Sequence, residues 1–145
     1  MISRNQIIAQ TTYQQVAKLE ESRDEKLHNS YATIVHKLPA MILQNGLSQA
    51  TGFLLSKAPT EKAHETLLNH LLGAFQKIDK NDFESVQDIT TFHEQIIGSD
   101  LKQIMRYTRE ALEISGWLRR YVQGILKRGP TGDVEKQEST QGAEQ

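Results

Sequence analysis

Apolar residues recur along almost the whole chain at spacings of three and four, and nowhere in sustained strict alternation. That 3.6-residue period marks amphipathic helices, each burying one stripe. Residues 3–21 predict a Gln-rich first helix with Ile7, Ile8, Val16 and Leu19 facing inward. Leu27, Tyr31, Ile34, Val35 and Leu38 form a second stripe over 24–38. Pro39 is expected to end or kink that helix, since it lacks a donor and crowds the preceding turn. Asn45-Gly46 is a break signal, and a third helix over about 47–57 carries Leu47, Ala50, Phe53 and Leu54. Pro59-Thr60-Glu61 reads as a helix start with Thr60 as its cap and Glu61 beside the positive end of the dipole. The face Leu67, Leu68, Leu71, Leu72, Phe75 and Ile78 continues it. Asp82 or Ser85 opens a weaker helix with Val86, Ile89, Ile96 and Ile97, ended by Gly98, and Ser99-Asp100 starts the longest element, about 100–128.

The pattern predicts an all-α fold: a single compact bundle of five to six helices with a long C-terminal helix. Gly129-Pro130 closes that helix, and beyond it only Val134 and Ala143 are apolar. The expected division is therefore a helical domain over 1–129 and an acidic, disordered tail over 130–145. The length of 145 residues suits one domain. Leu, Ile, Val and Phe make up about a quarter of the chain, above the ~20% below which disorder becomes the expectation. There are no cysteines, which excludes disulfide frameworks, thiolate metal sites and thiol catalysis. The longest aliphatic run is Ala40-Met41-Ile42-Leu43, far short of the ~18 residues that suggest a membrane span. With no apolar stretch of signal-peptide length after Met1, a soluble, cytoplasmic protein without membrane contact is the expectation.

Charge changes the picture more than composition does. The formal net is −1, but it is a sum of opposed blocks. Residues 60–96 hold three basic and seven acidic groups, residues 97–128 hold seven and three, and the segment from 129 onward holds one and four. Projecting the last helix at ~100° per residue puts Lys102, Arg106, Arg109, Arg120 and Lys127 on one stripe roughly 60° wide, with only Glu113 among them. Ile104, Ala111, Leu118, Val122 and Ile125 lie opposite. Such a ridge suits a phosphodiester backbone, whose phosphates are met by repeated cations without base reading. The same ridge is equally a solvated face. Lys26 and Lys37 form a smaller basic side on the second helix, with Ser30 and Thr33. Trp117, at the border of ridge and core, is able either to stack a base or to pack with its indole N–H toward water.

Catalytic constellations fail on inspection. His64-Glu65 begins like a helical zinc motif, but Leu68 stands where the second His is required; Asp79-Lys80-Asn81-Asp82 opens like a calcium loop, but Glu84 replaces the glycine and Thr90 the closing Glu. No glycine-rich phosphate loop and no Gly-x-Ser-x-Gly element occurs. The histidines at 28, 36, 64, 70 and 93 are scattered. A ribonuclease using two of them as acid and base would start from His36 beside Lys37. No catalytic residue, metal or cofactor is assigned.

Two stretches, taken together, carry a resemblance. One is His36-Lys37-Leu38-Pro39 followed by Gln44-Asn45-Gly46-Leu47-Ser48-Gln49 and Phe53; the other is Tyr107, Arg109-Glu110-Ala111-Leu112 and Trp117-Leu118-Arg119-Arg120. Their order and spacing resemble the small subunit of the type III-B CRISPR RAMP module (Cmr) effector complex, over residues 3 to 128. The resemblance implies a small, all-helical, non-catalytic protein that stacks in several copies beside the guide-bearing backbone subunits. It further implies contact with the guide–target RNA duplex, mainly the target strand, through basic surface residues, with RNA cleavage left to the backbone subunit. On that footing Arg106, Arg109, Arg120 and Lys127 are expected to bind phosphates, with Lys102 at one end of the track. Lys37, Gln44 and Asn45 would join them if the second helix lies beside the last. The acidic segment 60–96 is a candidate for meeting a neighbouring copy's basic surface, head to tail, which leads to a filament instead of a closed dimer. The competing readings are a helical adaptor that binds protein only and, behind it, a small metal-independent ribonuclease.

Overall fold

The computed structural model describes residues 2–134. Among them the chain forms α1 (Arg4–Glu21), α2 (Glu25–Asn45), α3 (Leu47–Lys57), α4 (Lys62–Ile78), α5 (Lys80–Phe83), α6 (Ile89–Ile97) and α7 (Leu101–Gly124). No strand is present among the described residues, only an isolated bridge between Arg128 and Val134. The expected all-α bundle is what forms, with α5, a single turn, taking the described helices past the five to six anticipated.

Four long helices make the core. α1 and α2 each pack against both α7 and α4, while α3 lies across α2, α4 and α6. The stripes predicted from spacing face this core: Ile8, Val16, Leu27, Tyr31, Ile34, Val35, Leu38, Leu67, Leu68, Leu71, Leu72 and Phe75 are all buried. Ends are set locally where a side chain can satisfy free N–H groups. Ser3 and Gln6 form a reciprocal capping box on α1, and Asp100 and Gln103 do so on α7.

Several expected boundaries move. α2 continues past Pro39 to Asn45, so the proline does not end it. Leu38 and Ile42, on either side of the proline, are both buried, and their packing outweighs the ~3 kcal/mol that an interior proline costs. Gly46 then reverses the chain at φ 90°, ψ 157°, a region essentially reserved for glycine. α4 starts after Glu61 with no side-chain cap, because Thr60 turns its hydroxyl back to the Lys57 carbonyl. α6 is capped by Asp88, whose carboxylate accepts from Thr91 N–H at 2.8 Å; Asp82 sits in α5 instead.

The last helix also stops early. α7 ends at Gly124, Lys127 takes a left-handed conformation at φ 59°, and Arg128 N–H reaches back to the Val122 carbonyl at 3.0 Å. Arg128 itself is buried, bonding Asn29 Oδ1 at 2.6 Å and the Glu25 carboxylate. Residues 130–134, which the composition assigns to the tail, lie back against the body. Gly132 at φ 86° sits so close to the Asn29 carbonyl that a Cβ there would collide with it. The remainder of the expected tail, 135–145, lies outside the described residues.

Candidate nucleic-acid interface

The ridge on α7 divides once its neighbours are in place. Arg106 is not a free cation. Its Nε donates to Asp79 Oδ2 at 3.0 Å and its Nη2 to Asp82 Oδ2 at 2.7 Å. Both acceptors come from the α4–α5 corner, which Phe83 anchors among Phe75, Phe92 and Tyr107 at ring-centroid distances of 5.0 to 5.5 Å. The Tyr107 hydroxyl also donates to Asp82, and the Arg106 guanidinium lies 5.2 Å from the Tyr107 ring centroid. The hydrogen bond to Asp79 and the two carboxylate charges push the Arg106 pKa up. Arg106 thus joins α7 to the α4–α5 corner, with its Nε and Nη2 donors already engaged there.

Lys127 leaves the ridge for a different reason. The projection assumes a helix to 128, whereas Lys127 lies past the end of α7 at φ 59°. It lines a groove with Glu20, Glu21 and Glu25 in place of the ridge.

Lys102, Arg109 and Arg120 remain. All three are exposed and form no ion pair among the described residues. At ~1.5 Å per residue they stand about 10 and 16 Å apart along the axis. The one acid on the same stripe, Glu113, is met by Arg4 Nη2 at 3.4 Å, which leaves the stripe net positive. Arg119, also exposed and without an ion pair among the described residues, is missing from the expected set because its angle falls off that stripe. An apolar ledge of Ile104, Met105 and Leu112 runs beside Arg109.

Trp117 resolves to packing. Its Nε1–H donates to Asn5 Oδ1 at 3.1 Å, and its ring stacks on Tyr121 at 5.8 Å and 26°. Tyr121 is in turn tied to the Ala9 carbonyl at 3.0 Å.

Below the Arg4 clamp lies Glu110, 1% exposed. Its Oε2 accepts from Arg4 Nη1 at 3.4 Å, and its Oε1 is buried without a hydrogen-bond partner among the described residues. Burial first, then the neighbouring Asp79 carboxyl, raises its pKa far above the ordinary carboxylate range.

The second cluster lies on α2 and α3. Lys37 lines a groove with Ser30, Thr33, Phe53 and His64, while Lys26, which the projection puts on the same side, does not line it. Gln44 and Asn45 line an adjoining groove with Gln49. Met41 and Phe53 form the wall common to both. α2 does pack beside α7, yet these grooves share no lining residue with those that hold Arg109 and Arg120. The expected residues therefore line separate grooves. Phe53, placed in the core by its spacing, is 38% exposed.

The histidines occupy separate positions. His28 meets the Leu19 carbonyl at 2.9 Å, His93 meets Thr51 Oγ1 at 2.7 Å, and His70 bonds Tyr31 Oη at 2.6 Å. Burial lowers the His70 pKa to about 4. Among the described residues no group of three or more His, Asp or Glu side chains could hold a metal ion, and no helix is long and apolar enough to cross a membrane.

Comparison with known proteins agrees with this architecture. Residues 4–125 match the family model of a CRISPR-associated protein, Cas_Cmr5. The CRISPR system Cmr subunit Cmr5 of Thermus thermophilus is 29% identical over 127 residues, covering 88% of this chain and 99% of that protein. A crystal structure of a CRISPR-associated Cmr5 family protein from the same organism superimposes with a TM-score of 0.70 at 28% identity, over 87% of this chain and 99% of the other. With a family match spanning all seven helices, the chain belongs to the Cmr5 family of CRISPR-associated proteins.

Proposed function

We propose that this chain is a non-catalytic, cytoplasmic structural subunit of a type III-B CRISPR Cmr effector complex, stacking in several copies and holding RNA by its backbone in antiviral defence. Its partners in this reading are the backbone subunit, neighbouring copies of itself, and the guide and target RNA. The observation that carries the RNA contact is the row of exposed, unpaired cations Lys102, Arg109 and Arg120 on a helix whose other face is locked into the core. A rigid helix presents charges at set intervals, which favours phosphates in a track over scattered ions. Lys37, Gln44 and Asn45 supply a second contact region on α2.

Ile97, Leu101 and Met105 are 57%, 75% and 60% exposed, and they favour a protein neighbour at the start of α7 beside the cation track. In a stacked assembly that neighbour is another copy. The acids that remain exposed in the middle of the chain, Glu61, Glu65, Glu84, Asp88 and Glu94, are available to it, whereas Asp79 and Asp82 are engaged by Arg106.

Native mass spectrometry of the tagged chain drawn from its own cells tests the reading. The expected particle contains RNA of guide length, other subunits and several copies of this chain. A particle of protein alone would favour the adaptor instead, and RNA cleavage by the isolated chain that a His36→Ala variant abolishes would favour the ribonuclease.

A further inference from the structure

Phe53 has surroundings that a core residue does not need. Its ring forms, with Met41, the wall between the two α2–α3 grooves. His64 packs against it edge to face at 5.6 Å and 62°, and the Lys57 ammonium stands 5.9 Å from its centroid. The larger groove, about 620 Å³, falls within the ~300–1,000 Å³ range of small-ligand sites. Its remaining lining is three exposed amides, Gln44, Asn45 and Gln49. We infer that this groove takes an unpaired nucleobase from single-stranded RNA, stacked on Phe53, with the amides on its edge and Lys37 and Lys57 on the flanking phosphates.

Each part of the groove answers to one part of that ligand. An aromatic ring stacks any base, because every base has a π-face. Each amide carries both donors and an acceptor, which match the mixed edge of a base. The two lysines supply the positive charge the adjoining phosphates require. An apolar helix from a partner protein fits less well: it would bury three amides with nothing to bond, which costs free energy for each. Burial lowers the His64 pKa, so a neutral ring braces Phe53.

This inference rests on the RNA-binding reading, and the test separates the two. Full-length chain is titrated into a single-stranded oligoribonucleotide carrying 2-aminopurine, whose fluorescence is quenched on stacking, and into the same oligonucleotide in a duplex. The expected result is quenching of the single strand and little change in the duplex. Phe53→Leu, which preserves apolar packing, should remove the quenching and weaken single-strand binding about tenfold, in line with ~1–3 kcal/mol per stacked base. Phe53→Trp should restore both. Binding and quenching that persist in Phe53→Leu overturn the inference while leaving backbone binding intact. Loss of self-association in Phe53→Leu with quenching unchanged assigns the groove to a neighbouring copy and also overturns it. No RNA binding by the wild-type chain removes both readings together.

Discussion

Arg106 and Arg109 are the same residue type three positions apart, and they do opposite things. Arg106 joins α7 to Asp79 and Asp82, whereas Arg109 points to solvent. Arg106→Ala should therefore destabilise the fold by roughly 1–3 kcal/mol, the range for charged hydrogen bonds whose half-buried acceptors are left behind, seen as a lower urea midpoint. Arg109→Ala should leave that midpoint unchanged within ~0.5 kcal/mol and weaken RNA binding. Equal midpoints for the two variants would contradict the division. Glu110 supplies a pH signature. Its folded pKa, raised by burial and by Asp79, lies well above the unfolded value of 4.5. Between 4.5 and about 8 the folded chain keeps this proton while the unfolded chain gives it up. The unfolded state then binds fewer protons, so stability falls as pH rises through that window. In Glu110→Gln this fall should be shallower, measured by urea midpoints at three pH values, and parallel profiles would refute it. None of these partnerships is visible in the sequence. Angular projection locates a side chain around its own helix, but Asp79 and Asp82 lie 27 and 24 residues from Arg106 in sequence, and only packing of the α4–α5 corner brings them together.

At the level of elements, the helix faces were legible and several ends were not. The stripe Leu27, Tyr31, Ile34, Val35 and Leu38 reads directly as a buried face, since the 3.6 period follows from helix geometry alone. Pro39 misleads because its cost is local while the gain is tertiary, from Leu38 and Ile42 on the same core. The end of α7 was equally hidden: Gly129-Pro130 is a strong stop signal, but the chain turns earlier so that Arg128 can reach Glu25 and Asn29. Phe53 misleads in the same way, since its spacing matches the core stripe yet its ring lies at the rim where α3 leaves α2. Two substitutions test the ends. Gly46→Ala meets no atom within 4 Å, so its expected loss of ~1–3 kcal/mol is the cost of the backbone region alone. Asp100→Ala should cost ~1 kcal/mol through loss of the α7 cap. Thermal or urea unfolding checks both, and an unchanged midpoint for Gly46→Ala would contradict the assigned turn.

Across the whole molecule, a formal charge of −1 conceals a division of labour. Part of the acidic middle neutralises the last helix from inside, through Arg106, and part stays on the surface. What is left on α7 is a shorter track than the stripe implied, three cations in place of five, with a separate polar region around Lys37, Gln44 and Asn45. The candidate site was thus legible as a charged face but not as a set of residues, because the helical angle shows neither the ion pairs of Arg106 nor the early end of α7 that takes Lys127 off the stripe. The most direct measurement is RNA affinity across a salt series for the wild-type chain and for Arg109→Glu/Arg120→Glu. For a single strand, log affinity should fall with log salt at about 0.7 per phosphate contacted. Three to four contacts then give a slope of roughly −2 to −3 for the wild type. The double reversal should weaken binding steeply and flatten the slope, with the helical circular dichroism spectrum unchanged. Wild-type affinity and slope retained in that variant would show that α7 does not hold the RNA.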